Sequence, residues 1–113
     1  MPESTATILI VDDSRDFLET IAAWLEDHYT VACTDDPHQA LNLATDQTTL
    51  LLSDVMMPLM SGPELADRMV AQHPAIKVLL MTGVYRQPLN YPVIFKPFSL
   101  VDLSTKIRQI LAA

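Results

Sequence analysis

The stretch Leu50-Leu51-Leu52-Ser53-Asp54-Val55-Met56-Met57-Pro58-Leu59-Met60-Ser61-Gly62 decides the fold class. Its opening apolar run is too short for a typical helix and meets its first charge only at Asp54, as expected of a strand buried on both faces. Strands of this kind belong to parallel sheets, and open parallel sheets bind ligands just outside the carboxyl ends of their strands. A carboxylate at that edge is a candidate nucleophile or metal ligand. By itself the stretch leaves a second account open, because an Asp followed by Pro58 and Gly62 also suits a turn that caps the next helix.

The same pattern recurs on either side. Thr7-Ile8-Leu9-Ile10-Val11 is β-branched and apolar and stops at Asp12-Asp13. Ser14 is placed to cap a helix whose Phe17, Leu18, Ile21, Trp24 and Leu25 recur at helical spacing, which assigns Trp24 to the core. A short strand from Tyr29 to Cys33 follows, then a helix opened by Pro37 and carrying Ala40, Leu41 and Ala44. Cys33, within Val31-Ala32-Cys33, is expected to be a small core residue.

Beyond Asp54 the spacing predicts a helix from about Pro63 to Gln72, ended by His73-Pro74, with Leu65 and Met69 facing the sheet. Lys77-Val78-Leu79-Leu80-Met81 is another strand, ending in Thr82-Gly83, and Pro92 to Phe95 is the last, ending in Lys96-Pro97. Ser99, with Asp102 three residues on, caps a final helix that buries Leu100, Leu103, Ile107, Ile110 and Leu111. Strands alternating with helices through short turns define an α/β fold, a parallel sheet covered on both faces.

The bulk composition narrows the function. At 113 residues the chain is sized for one domain, residues 1–113, which buries roughly two-thirds of its unfolded surface. It is 50% hydrophobic and 19% charged, which excludes wholesale disorder. A net charge of −7 speaks against direct nucleic-acid binding, which needs a basic footprint, and favours a cation-binding acidic patch. Without a membrane-length apolar run or a signal-peptide start, the chain is expected to be cytoplasmic, and a single Cys, which allows no internal disulfide, agrees. His28, His38 and His73 fall at helix ends or turns and are expected to be solvated or capping residues.

Four strand ends thus carry Asp12-Asp13, Asp54, Thr82 and Lys96, and in a parallel sheet all four share one edge. Three clustered carboxylates repel one another unless a cation sits among them, and hard oxygen donors suit Mg²⁺. Phosphoryl transfer needs little beyond in-line positioning and charge neutralisation, which a metal, a lysine and a hydroxyl donor supply.

On these residues the chain resembles the receiver domain of two-component response regulators. The resemblance rests on Asp12-Asp13, the Asp54 to Gly62 stretch, Thr82-Gly83 and Lys96-Pro97-Phe98, and spans essentially the whole chain. It implies a doubly wound, flavodoxin-like five-stranded sheet of order 2-1-3-4-5. It also implies that Asp54 takes a phosphoryl group from a histidine kinase or histidine phosphotransfer domain, with Mg²⁺ held by Asp13, Asp54 and the backbone carbonyl of Met56, and by Asp12 through water. Lys96, before a cis Pro97, would neutralise the phosphoryl group and Thr82 would hydrogen-bond it. Such a domain is not an enzyme in its own right beyond self-phosphorylation and slow self-dephosphorylation.

The chain departs from the family pattern in two places. Val93 stands three positions before the lysine, where the family often has an aromatic; Tyr91, Tyr85 and Phe95 are the nearby substitutes. Only nine residues separate Thr82 from Pro92, against the ~10–12 that a strand–helix–strand crossover needs, so the helix between the fourth and fifth strands is expected to be short or missing. In its place Gly83 to Tyr91 is expected to form a mobile loop that the phosphoryl group orders through Thr82. Two other functions fit parts of the pattern. One is a receiver-like binding module that works without phosphorylation, against which the intact acidic residues, Thr82 and Lys96 argue. The other is a stand-alone Mg²⁺ phosphatase, which would want a carboxylate two residues after Asp54, where Met56 stands.

Overall fold

A computed structural model describes residues 6–83 and 89–113. In chain order the elements are β1 (Thr7–Val11), α1 (Arg15–Leu25), β2 (Thr30–Thr34), α2 (Pro37–Leu43), β3 (Thr48–Asp54), α3 (Gly62–Gln72), β4 (Lys77–Thr82), β5 (Val93–Phe95) and α4 (Leu100–Ala112). The five strands are all parallel and lie in the order β2-β1-β3-β4-β5, as the resemblance implied.

Side chains alternate across a strand, so each central strand feeds two cores. Ile8, Ile10, Leu50, Leu52, Leu79 and Met81 fill the layer with Leu18, Ile21 and Leu25 of α1 and Leu103 and Ile107 of α4. Leu9, Val11, Leu51, Val78 and Leu80 fill the other layer, with Ala40 of α2 and Leu65, Ala66 and Met69 of α3. Covered on both faces, β1, β3 and β4 can be apolar at successive positions, and each such side chain contributes about 1.5–3 kcal/mol by its burial.

The helices begin where the capping residues stand. The side chains of Ser14, Asp36, Ser61 and Ser99 accept the backbone N–H groups of Phe17, His38, Glu64 and Asp102, respectively. Pro37 occupies the first turn of α2, and α3 starts one residue earlier than its spacing suggested, because Ser61 caps it. β2 runs one residue later than expected, from Thr30 to Thr34.

Two core assignments are corrected. Trp24 is 39% exposed: Leu18, Ile21, Ala22 and Leu25 complete the inward stripe of α1, and the indole lies at its margin with Nε1–H donating to Ser104 Oγ of α4 at 2.6 Å. Cys33 is exposed, because β2 is an edge strand that the helical layers only partly cover. Between β4 and β5, the described residues Gly83 and 89–92 are not helical. The rest of the loop expected there, with Tyr85 among its residues, falls on residues 84–88 and lies outside the described residues. Leu89 and Tyr91 are partly buried against the layer under α3.

Candidate functional site

Strand register sets the site. Val11 pairs with Ser53, Asp54 with Met81 and Thr82 with Phe95, so the carboxyl ends of β1, β3, β4 and β5 finish side by side. The residues at or just beyond those ends are Asp12, Asp13, Asp54, Thr82 and Lys96.

Asp12 is fully buried. Its backbone N–H donates to Thr34 O at 3.4 Å, extending the ladder past β1. Its Oδ1 accepts the Ser14 N–H at 2.8 Å and its Oδ2 faces Lys96 Nζ at 3.2 Å. Ser14 thus has two tasks, turning the chain under Asp12 and capping α1. Asp13, next along, is exposed.

Asp54 closes β3 with its side chain 13% exposed and Oδ1 3.5 Å from Lys96 Nζ. The loop behind it is tightly bound. Ser53 Oγ donates to the Asp54 carbonyl at 2.9 Å, Val55 N–H to Met81 O at 2.9 Å and Gly62 N–H to Val55 O at 2.8 Å. Gly62, one of only two glycines in the chain, leaves no room for a side chain: a Cβ there would drive into the Asp54 carbonyl oxygen and stand 2.9 Å from Val55 Cα. Two residues beyond Asp54, the Met56 side chain projects into solvent, 68% exposed.

Lys96 arrives from the opposite side of the pocket. Its N–H donates to Thr82 O at 2.8 Å, its bond to Pro97 is cis, and its ammonium reaches back across the sheet end to Asp12 and Asp54. Thr82 itself is buried at the end of β4.

Electrostatically the pocket is short of positive charge. Carboxylate oxygens of Asp12, Asp13 and Asp54 lie within 4.8 Å of one another, and among the described residues Lys96 is the cation within ion-pair distance of Asp12 and Asp54. Burial pushes the Asp54 carboxyl above its ordinary range; Lys96 pulls it down, and Asp12 and Asp13 push it up again. Three clustered carboxyl groups beside one ammonium fit a divalent cation with oxygen ligands, so Asp12, Asp13 and Asp54 could hold a metal. The histidines stand elsewhere: His73 ends α3 with Nδ1 3.0 Å from Asp46 Oδ1, and His28 and His38 are exposed.

Two features of the site were not legible as such in the sequence. Gly62 passed for an ordinary turn glycine, and Phe17 for one more residue of a core stripe. Tyr91, a nearby aromatic in place of Val93, points its hydroxyl at Asp67 of α3.

A doubly wound sheet with this acidic, lysine-bridged pocket at its carboxyl edge is the architecture of receiver domains in two-component signalling. A family model described as response regulator receiver domain matches residues 8–108, and the chain belongs to that family. It is 34% identical to the response regulator receiver protein CpdR of Brucella abortus (strain 2308), over 94% of this chain and 97% of that protein. It is 29% identical to the sensor kinase CckA of the same organism, over 95% of this chain but only 13% of the kinase. A crystal structure of the signal receiver domain of an HD domain-containing protein from Pseudomonas fluorescens Pf-5 superposes with a TM-score of 0.87 at 30% identity, covering 96% of both chains. No helix among the described residues is long and apolar enough to cross a membrane.

Proposed function

We propose that this chain, residues 1–113 as a single receiver domain, is a cytoplasmic phosphorelay component that accepts a phosphoryl group on Asp54 from a phosphohistidine. One observation carries the reading: Asp54 stands at the end of β3 with Lys96 Nζ 3.5 Å from Oδ1 and two further carboxylates beside it. A strand-end Asp serving only as a turn former has no need of a buried neighbouring Asp12 and a lysine shared with it.

In the transfer, an Asp54 carboxylate oxygen attacks phosphorus in line, the P–N bond to imidazole breaks, and its electron pair returns to the ring nitrogen. The Lys96 ammonium neutralises charge on the phosphoryl oxygens, and the Thr82 hydroxyl donates to one of them. Asp13, Asp54 and the Met56 carbonyl would hold Mg²⁺, with Asp12 acting through water. Bound Mg²⁺ supplies charge neutralisation at the phosphoryl group. Hydrolysis of the aspartyl phosphate is slow, since Met56 offers no carboxylate to act as acid–base. The donor is a histidine kinase or histidine phosphotransfer domain, a reading supported by the likeness to part of the sensor kinase CckA.

Incubation with a small phosphodonor and Mg²⁺, followed by intact-mass analysis, tests this. Stoichiometric labelling lost in Asp54→Asn is the expected result. No labelling of a folded wild-type chain would favour a phosphorylation-independent binding module, and rapid release of inorganic phosphate a phosphatase.

A further inference from the structure

Phe17 stands on the first turn of α1, where the Ser14 cap accepts its backbone N–H. Its ring does not simply fill the core beneath that helix. Lys96 Nζ lies over its face, 4.4 Å from the ring centroid. Phe98, two residues beyond Lys96, meets the ring edge-on, with centroids 5.9 Å apart and planes inclined by 72°. The cap thus fixes the Phe17 backbone on the first turn of α1, and the ring itself meets the same turn that carries the lysine.

We propose that Phe17 is a positioning residue for Lys96 in the phosphoryl transfer, an inference that rests on Asp54 being the acceptor. An ammonium on a flexible four-carbon stem has three donors and many rotamers. Asp12 and Asp54 engage it at 3.2 and 3.5 Å, and the negative face of the Phe17 ring attracts it from a further direction. An anionic group in the ring's place would bind the ammonium and compete with the incoming phosphoryl oxygens for it. The aromatic face confines Lys96 to the pocket without presenting an oxygen that the phosphoryl group must displace. Phe98 fixes the ring's tilt, so the lysine, its following turn and the first turn of α1 align one another.

The test compares Phe17→Leu, which keeps apolar bulk but removes the ring, with Phe17→Tyr, which keeps the ring. In the metal-free wild type, proton NMR of the Lys96 ε-methylene should show upfield ring-current shifts, retained in Phe17→Tyr and absent in Phe17→Leu. With a small phosphodonor and Mg²⁺, Phe17→Leu should label roughly two- to tenfold more slowly, and Phe17→Tyr at the wild-type rate. If Phe17→Leu does not fold, Phe98→Leu takes its place, and a reduced ring-current shift with slower labelling is expected. Ordinary Lys96 shifts in the wild type, equal labelling of the folded Leu variant, or equal slowing in the Leu and Tyr variants would overturn the proposal. A wild type that no donor labels would instead overturn the phospho-acceptor reading, and the NMR comparison, made without donor or metal, would still decide the ring–lysine contact.

Discussion

Tyr91 donates its hydroxyl to Asp67 Oδ1 at 2.5 Å, fastening the approach to β5 onto α3. With Leu89 and Val93 it packs partly buried against the layer that α3 covers, so the residues leading into β5 cover part of this side of the sheet. The hydrogen bond to the carboxylate, helped by burial and by the Asp67 charge, holds the Tyr91 phenol up at about 12 against an ordinary 10.0. The folded chain thus keeps a proton that the unfolded chain gives up first, and the contribution to stability is present below pH 10 and lost as pH rises through about 12. Tyr91→Phe should lower Tm by no more than about a few degrees near neutral pH, with the difference from wild type vanishing by about pH 12. A gap that persists unchanged at that pH would contradict the role of this bond.

Asp54→Asn should abolish stable phosphorylation and leave the fold intact, because Asn is nearly isosteric but forms no acyl phosphate. It should also change the pH dependence of stability without metal. Burial, together with the Asp12 and Asp13 charges, outweighs Lys96, so the folded chain holds the Asp54 proton more tightly than the unfolded chain does. That contribution is complete below the ordinary value of 3.8 and is lost as pH climbs through the raised folded value. In EDTA at neutral pH, Asp54→Asn should therefore melt above wild type, and the difference should shrink on acidification toward pH 3.8. Thermal melts across that range decide the matter.

Asp13 is exposed and shares the acidic cluster, so it contributes repulsion to the metal-free protein and, on the proposed reading, would give an oxygen donor to bound Mg²⁺. Asp13→Ala should weaken Mg²⁺ binding by about tenfold or more, measured by titration calorimetry. Its Tm in EDTA should equal or exceed that of wild type. A sharp fall in EDTA would mean that Asp13 has a structural role that its exposure does not reveal.

Gly62→Ala places a methyl group against the Asp54 carbonyl and Val55 Cα, backbone atoms with no rotamer to escape into. The loop must shift, at a cost of about 1–3 kcal/mol, the usual range for overpacking. Urea unfolding should show a lower midpoint at an unchanged slope, and labelling of Asp54 should slow as its loop is displaced. An unaltered midpoint would show that the loop is softer than its hydrogen bonds indicate.

The sequence by itself determined the strands, the helical faces and the carboxyl-edge constellation, because each depends on local pattern. Apolar runs ending at Asp12, Asp54 and Thr82 are the mark of strands covered on both faces, and Ser14 and Ser99 mark helix starts through bonds to residues three positions away. Strand order came through resemblance, since pairing between distant segments leaves no trace in spacing alone. Tertiary structure decided what depends on partners remote in the chain. Trp24 passed for core until Ser104, 80 residues away, supplied the acceptor that holds its indole at the helix boundary. Cys33 passed for core until β2 proved to be an edge. Phe17 fits a helical stripe whether its ring covers leucines or a lysine, and only the turn at Lys96–Pro97–Phe98, 79 to 81 residues downstream, brings the ammonium over it. Periodicity states which face of an element is turned inward; what that face meets is set by chain segments whose approach no local pattern encodes.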